Sequence, residues 1–160
     1  MTDDFYSARI LPCAGIIIRI CRAYTNTQAD FEDYYQEVCL QIWRSRDRFR
    51  EDSEWSTWIY RLALNVCMTL LKKRRHDPDR FASDYLELEA AQESRPFADE
   101  PLNALYDAIR RLSEIDRAVI LLYLEERSYQ EIADIIGTTP NNVGVRITRI
   151  KERLRRLVHE

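Results

Sequence analysis

Residues 128–156 read SYQEIADIIGTTPNNVGVRITRIKERLRR, and this stretch decides the fold. Ile132, Ala133 and Ile136 recur at helical spacing and predict a short helix over 129–136. Gly137 follows at the position after a helix end, where the backbone turns left-handed and glycine adopts that turn without a Cβ clash. Thr139 is a good N-cap, and Pro140 takes the first helical position, where its missing N–H loses no bond. A second helix then runs to the C-terminus on a stripe of Val143, Ile147, Ile150, Leu154 and Leu157. At about 100° per residue this stripe stays within about 40° of Val143. Two helices joined by a short glycine turn form a helix-turn-helix.

The face opposite the stripe holds Asn141, Val145 and Thr148, with Asn142 and Arg149 flanking it and Arg146 between the two faces. Short polar side chains on the first turns, with arginines beyond, suit a helix whose start meets base edges in a DNA major groove while its cations hold phosphates. A solvated face in a plain helical bundle is the competing reading.

The whole chain has 160 residues, enough for one ordinary domain or two small ones. It is 46% hydrophobic and 32% charged, with only three glycines and five prolines, which favours an all-α protein. The net charge of −3 conceals blocks. Residues 72–75 read KKRR, and residues 141–160 carry six Arg/Lys against two Glu, whereas residues 77–101 carry eight acids against two Arg. Such asymmetry points to partners of opposite charge. Cys13, Cys21, Cys39 and Cys67 form no CxxC pair and sit in apolar helical settings, so buried free thiols in a reducing cytoplasm are expected. The apolar run from Ile10 to Ile18 is short, contains Pro12 and Gly15, and predicts neither a signal peptide nor a membrane span. The expected location is the cytoplasm.

Upstream, a helix over 4–24, bent or delayed by Pro12, carries Ile16, Ile17, Ile20 and Tyr24. A second over 30–46, capped by Asp30, has Phe31, Tyr34, Tyr35, Val38 and Ile42 as its stripe. A polar break follows Phe49. A third helix over 55–75 turns Trp58, Ile59, Leu62, Val66 and Leu70 inward. Three of the five prolines fall within 77–101, which reads as a linker with a helical turn near 85–91. Helices resume at Leu102, with Leu105, Ile109 and Leu112 on one and Ile115 to Leu124 on the next.

The segment LSEIDRAVILLYLEERSYQEIADIIGTTPNNVGVRITRIKERLRRL resembles region 4 of extracytoplasmic-function (ECF, group 4) sigma factors of bacterial RNA polymerase. The block DFEDYYQEVCLQIWRSRDRFREDSEWSTWIYRLALNVCMTLLKKRR resembles region 2 of the same family. The resemblance implies two small helical domains: region 2 over 1–76 and a region 4 helix-turn-helix over 102–160, joined by an acidic linker over 77–101. It implies that Asp33, Gln36, Glu37 and Leu40 dock on the clamp helices of the polymerase β′ subunit, and that the β flap is a further contact. Phe49, Arg50, Asp52, Ser53, Trp55 and Asn65 would bind the melted −10 element, with Lys72, Lys73, Arg74 and Arg75 on nearby phosphates. Asn141, Asn142, Val145, Arg146, Thr148 and Arg149 would read the −35 duplex. The linker would thread toward the polymerase active-site cleft. An anti-sigma protein is an implied partner, and no cofactor, metal or membrane is implied.

Three positions depart from the family pattern. Gly144 stands where the family has a basic residue, Ser113 where it often has proline, and the first helix is unusually apolar. Enzyme chemistry has little support, because the only histidines are His76 and His159 and no phosphate-cradling glycine loop appears. A stand-alone helix-turn-helix regulator that binds DNA without polymerase is the alternative, and a helical adaptor binding only protein is a further one.

Overall fold

A computed structural model of the chain describes residues 1–50, 52–75 and 100–159. The expected linker up to residue 99 and its turn near 85–91 lie outside the described residues. The described residues form helices joined by turns and loops, with no strand, and the chain divides into two compact units, residues 1–96 and 97–160.

The first unit opens with a short helix, α1 (Asp3–Phe5), a π turn over Tyr6–Ile10 and a 3₁₀ turn over Leu11–Cys13, before α2 (Ala14–Ala23). Pro12 explains the irregularity: it lacks the N–H an α-helix would direct to residue 8. The chain winds wider instead, with Leu11 N–H donating to the Tyr6 carbonyl, then tighter, with Ala14 N–H donating to the Leu11 carbonyl. The long helices α3 (Gln28–Ser45) and α4 (Trp55–Arg75) pack on each other and on α2. Ile17, Ile20, Val38, Ile42, Ile59 and Leu64 form the buried centre.

Two expectations are corrected in this unit. Asp30 is not the cap of α3. Thr27 is, its Oγ1 accepting from Asp30 N–H at 3.1 Å, while Asp30 itself is buried. The buried arc of α4 is Ile59, Tyr60, Ala63, Leu64 and Cys67, turned by about 100° from the expected stripe. Small Ala63 and Cys67 face the neighbouring helices, and Trp58, Leu62 and Val66 are left half-buried. All four cysteines are free and buried. Cys21 and Cys67 place their sulfurs 3.9 Å apart, and burial pushes the Cys39 thiol up to about 11.

The second unit has α5 (Glu100–Ile109), α6 (Glu114–Leu124), α7 (Tyr129–Ile136) and α8 (Pro140–Val158). Three of these starts use one local device. Ser113, Ser128 and Thr139 each accept, through the side-chain oxygen, the N–H three residues on, at 3.2, 3.1 and 3.2 Å. Ser113 therefore has a structural reason to stand where proline is usual. Gly137 ends α7 with φ 85° and donates to the Ala133 carbonyl at 2.8 Å. Val143, Ile147, Ile150 and Leu154 of α8 are buried as expected, and Leu157 is half-buried. Buried Arg117 ties the α5–α6 turn together, its guanidinium donating to the Leu112 and Arg110 carbonyls at 3.0 and 2.5 Å.

Candidate functional site

Three surfaces collect the residues singled out in the sequence. On the first, Asp33, Gln36, Glu37 and Leu40 of α3 line one wall of a groove of about 320 Å³. Spacings of three and four put them on one helix face. Glu37 accepts from Gln41 Nε2 at 3.0 Å, which steadies its carboxylate. The other wall is Leu70, Lys73 and Arg74 of α4, with Asp30 and Tyr34 also lining the groove. Arg74 is ion-paired to Asp30, and both side chains are about nine-tenths buried. The structure thus brings Lys73 and Arg74 to the acidic groove. Arg74, expected among the phosphate-binding cations, is turned inward by its buried partner. Tyr34 is buried, and this desolvation pushes its phenol up to about 12. Lys72 and Arg75 are exposed.

The second surface surrounds the polar break. Phe49, Trp55 and Trp58 form one aromatic cluster: Phe49 meets Trp55 edge-on at 5.0 Å and Trp58 at 5.8 Å, and the two indoles stack at 4.9 Å. Trp55 is already engaged. Its Nε1–H donates to the Arg9 carbonyl at 2.8 Å, and the Arg9 guanidinium lies 4.0 Å over its ring. It supports the loop rather than offering a free stacking face. Trp58 and Asn65 meet instead at a second groove, of about 260 Å³, with Gln41, Ser45, Arg48, Leu62 and Val66. Arg50 and Asp52 are exposed and Ser53 half-buried in the loop beside this cluster. Sequence reasoning missed Arg48, Ser45 and Gln41. They belong to α3 and its 3₁₀ extension, and only the α3–α4 packing brings them to Asn65.

The third surface is the outer face of α8. Asn141, Val145 and Arg149 are exposed, and none of their side chains has a hydrogen-bond or ion-pair partner among the described residues. The others are tethered. Asn142 Nδ2 donates to Thr138 Oγ1 at 3.2 Å, Thr148 Oγ1 donates back to the Gly144 carbonyl at 3.1 Å, and Arg146 pairs with Asp116 at 2.7 Å. Gly144 does not face outward freely. A Cβ there would sit 3.3 Å from the ring of Tyr129 on α7, a side chain that is itself exposed.

Among the described residues no helix is long and apolar enough to cross a membrane, and no cluster of His, Cys, Asp and Glu could hold a metal ion.

Two all-helical units, the second a helix-turn-helix with an open polar face, define a DNA-binding class of fold. Family models narrow this. Sigma-70 region 2 matches residues 12–76, and Sigma-70, region 4 matches residues 102–154. The ECF RNA polymerase sigma-E factor of Escherichia coli K12 is 30% identical over 77% of this chain and 71% of its own length. The ECF RNA polymerase sigma factor SigW of Bacillus subtilis is 28% identical over 90% of this chain and 83% of its own. SigG of Mycobacterium tuberculosis is 28% identical over 93% of this chain, which spans only 47% of SigG. The sigma factor RpoE of Bartonella quintana, solved in complex with the anti-sigma factor NepR, shares the fold at a TM-score of 0.72 and 19% identity, covering 99% of this chain and 98% of that one. The chain belongs to the ECF group of the sigma-70 family.

Proposed function

We propose that this chain is a promoter-specificity subunit of bacterial RNA polymerase and catalyses no reaction itself. Residues 1–76 dock on core polymerase and hold the melted −10 element, residues 102–160 read the −35 duplex, and residues 77–101 tether the two. The observation that carries this reading is the groove under Asp33, Gln36, Glu37 and Leu40, in the same chain as a helix-turn-helix. Carboxylates beside an apolar ridge suit a basic coiled-coil partner such as the β′ clamp helices. A stand-alone regulator has no use for that groove.

The −10 role falls on the groove where Trp58 and Asn65 converge. A base leaving a duplex needs a stacking wall and an edge partner, and Trp58 and Asn65 supply one of each. The exposure of Arg50, Asp52, Lys72 and Arg75 supports contacts from them to the adjoining strand. The −35 role falls on Asn141, Val145 and Arg149, with Arg146 and Asn142 held in fixed positions by Asp116 and Thr138. The β flap and an anti-sigma protein are further partners under this reading, and the cytoplasm is its location.

The test is run-off transcription with sigma-free core polymerase and a promoter library. Specific transcripts are expected, and the double swap Asp33→Lys/Glu37→Lys should abolish polymerase association while leaving the helical circular dichroism unchanged. Retained association would overturn the assignment of the α3 groove.

A further inference from the structure

We propose that the segment Asp3–Cys13 is a strap that positions the −10 loop, with Arg9 as its positioning residue. This rests on the function proposed above. The family model begins at residue 12, so most of the strap lies outside the region it matches. Yet it makes four specific contacts with α3 and α4. Phe5 meets Trp43 edge-on at 5.1 Å, and the Tyr6 and Tyr35 hydroxyls hydrogen-bond at 2.9 Å. The Arg9 carbonyl takes the Trp55 indole N–H, and the Arg9 guanidinium covers the Trp55 ring.

Trp55 is the residue that makes this more than packing. It is the first residue of α4 and directly follows the loop, and its ring receives Phe49 from the other end of that loop. Fixing Trp55 therefore fixes both ends of the loop that carries Arg50, Asp52 and Ser53. It also fixes Trp58, the groove wall stacked on it. The π turn over Tyr6–Ile10 sets where the Arg9 carbonyl points, and Pro12 imposes that turn. Isolated π turns are frequent at functional sites. A regular helix through residue 12 would reorient that carbonyl.

Two variants separate the halves of the clasp. Arg9→Ala keeps the carbonyl and removes the guanidinium, whereas Trp55→Phe keeps a ring and removes the N–H donor. The experiment uses the full chain with sigma-free core polymerase and a promoter recovered from the library. It measures capture of a single-stranded oligonucleotide spanning the melted element, alongside retention of −35 duplex and affinity for polymerase. Each variant should lower single-strand capture about 3- to 10-fold, on the scale of one cation–π or hydrogen-bond contact. Polymerase affinity and −35 retention should not move, and Arg9→Lys should restore most of the capture lost in Arg9→Ala. Amide hydrogen exchange of the free chain should show faster exchange at 49–56 and no change in α2. Equal loss in all three assays would make the strap merely structural and overturn the proposal. So would unchanged capture. Stronger capture by Arg9→Ala would mean that Arg9 masks a base-stacking face, which also overturns it. If the unaltered chain yields no transcripts at all, the proposed function fails and takes this role with it, while the exchange data still report whether Arg9 orders the loop.

Discussion

The start of α8 and the start of α4 are both expected to meet DNA, and they are built in opposite ways. Helix α8 is set by its own neighbourhood: Thr139 caps it, Pro140 opens it, and Gly137 closes the helix before it. Helix α4 begins at Trp55, whose position is set by Arg9, forty-six residues upstream. The lesson is that a duplex-reading surface can be a stiff, locally encoded rod with its outer face left open. A surface that must receive an unpaired base needs a loop and a groove, which several distant elements hold in place.

The largest expected effect tests the non-local side. Removing one partner of the buried Asp30–Arg74 pair leaves a charge without its counterion, so Asp30→Ala should lower the stability of the first unit by about 3–5 kcal/mol in urea unfolding. If the loss were only a few tenths, the pair would behave as a surface bridge, and Arg74 would be released for phosphate contacts.

Next in size is an alkaline effect confined to the same unit. Tyr34 binds its proton more tightly folded, at about 12, than the ordinary phenol value of 10. A group whose folded value is raised contributes in full below its unfolded value and loses that contribution as pH rises through the folded one. Stability should therefore fall between pH 10 and pH 12, by about 2–3 kcal/mol from this residue. Tyr34→Phe should make that part of the pH profile shallower by this amount, while buried Cys39 and Cys67 and half-buried Tyr35, whose values are also raised by burial, keep the remainder of the alkaline loss. An unchanged profile would place the alkaline loss elsewhere.

The local side should give smaller changes. Gly137→Ala forces a side chain into positive φ and should cost the second unit about 1–2 kcal/mol. Thr139→Ala removes the cap of α8 and should cost about 1 kcal/mol. The smallest effect has the opposite sign. Gly144→Ala should stabilise by about 0.5 kcal/mol, because helix propensity improves and the exposed Tyr129 ring can move by the little required. A destabilised Gly144→Ala protein would mean that the Tyr129 contact is rigid and that the α7–α8 approach depends on glycine.

This contrast also explains what was legible in the sequence. The helix-turn-helix was readable in Gly137, Thr139, Pro140 and four of the five stripe residues of α8, because its signals lie within a few positions of one another; Ile136 and Leu157, at the helix ends, are only half-buried. Region 2 was readable as helices of the right order but not as surfaces. The inward face of α4 was misjudged because Trp58, Leu62 and Val66 are apolar yet line a half-open groove. Arg74 read as one more cation in KKRR, since nothing local announces that Asp30 waits for it. Trp55 was named for its ring, but the partner that occupies it lies across the fold. The neighbour of Gly144 was likewise hidden, because Tyr129 belongs to the preceding helix.

Two separate surfaces divide the labour of promoter reading under the proposed function, and one crossed measurement distinguishes them. Arg149→Ala and Asn65→Ala chains, each with core polymerase, are assayed on a recovered promoter altered either in its −35 duplex or in its melted element. Arg149→Ala should lose discrimination only at −35 and Asn65→Ala only at the melted element. Loss of discrimination by both variants at the same element, or tight binding of a symmetric duplex by the free chain, would contradict this division.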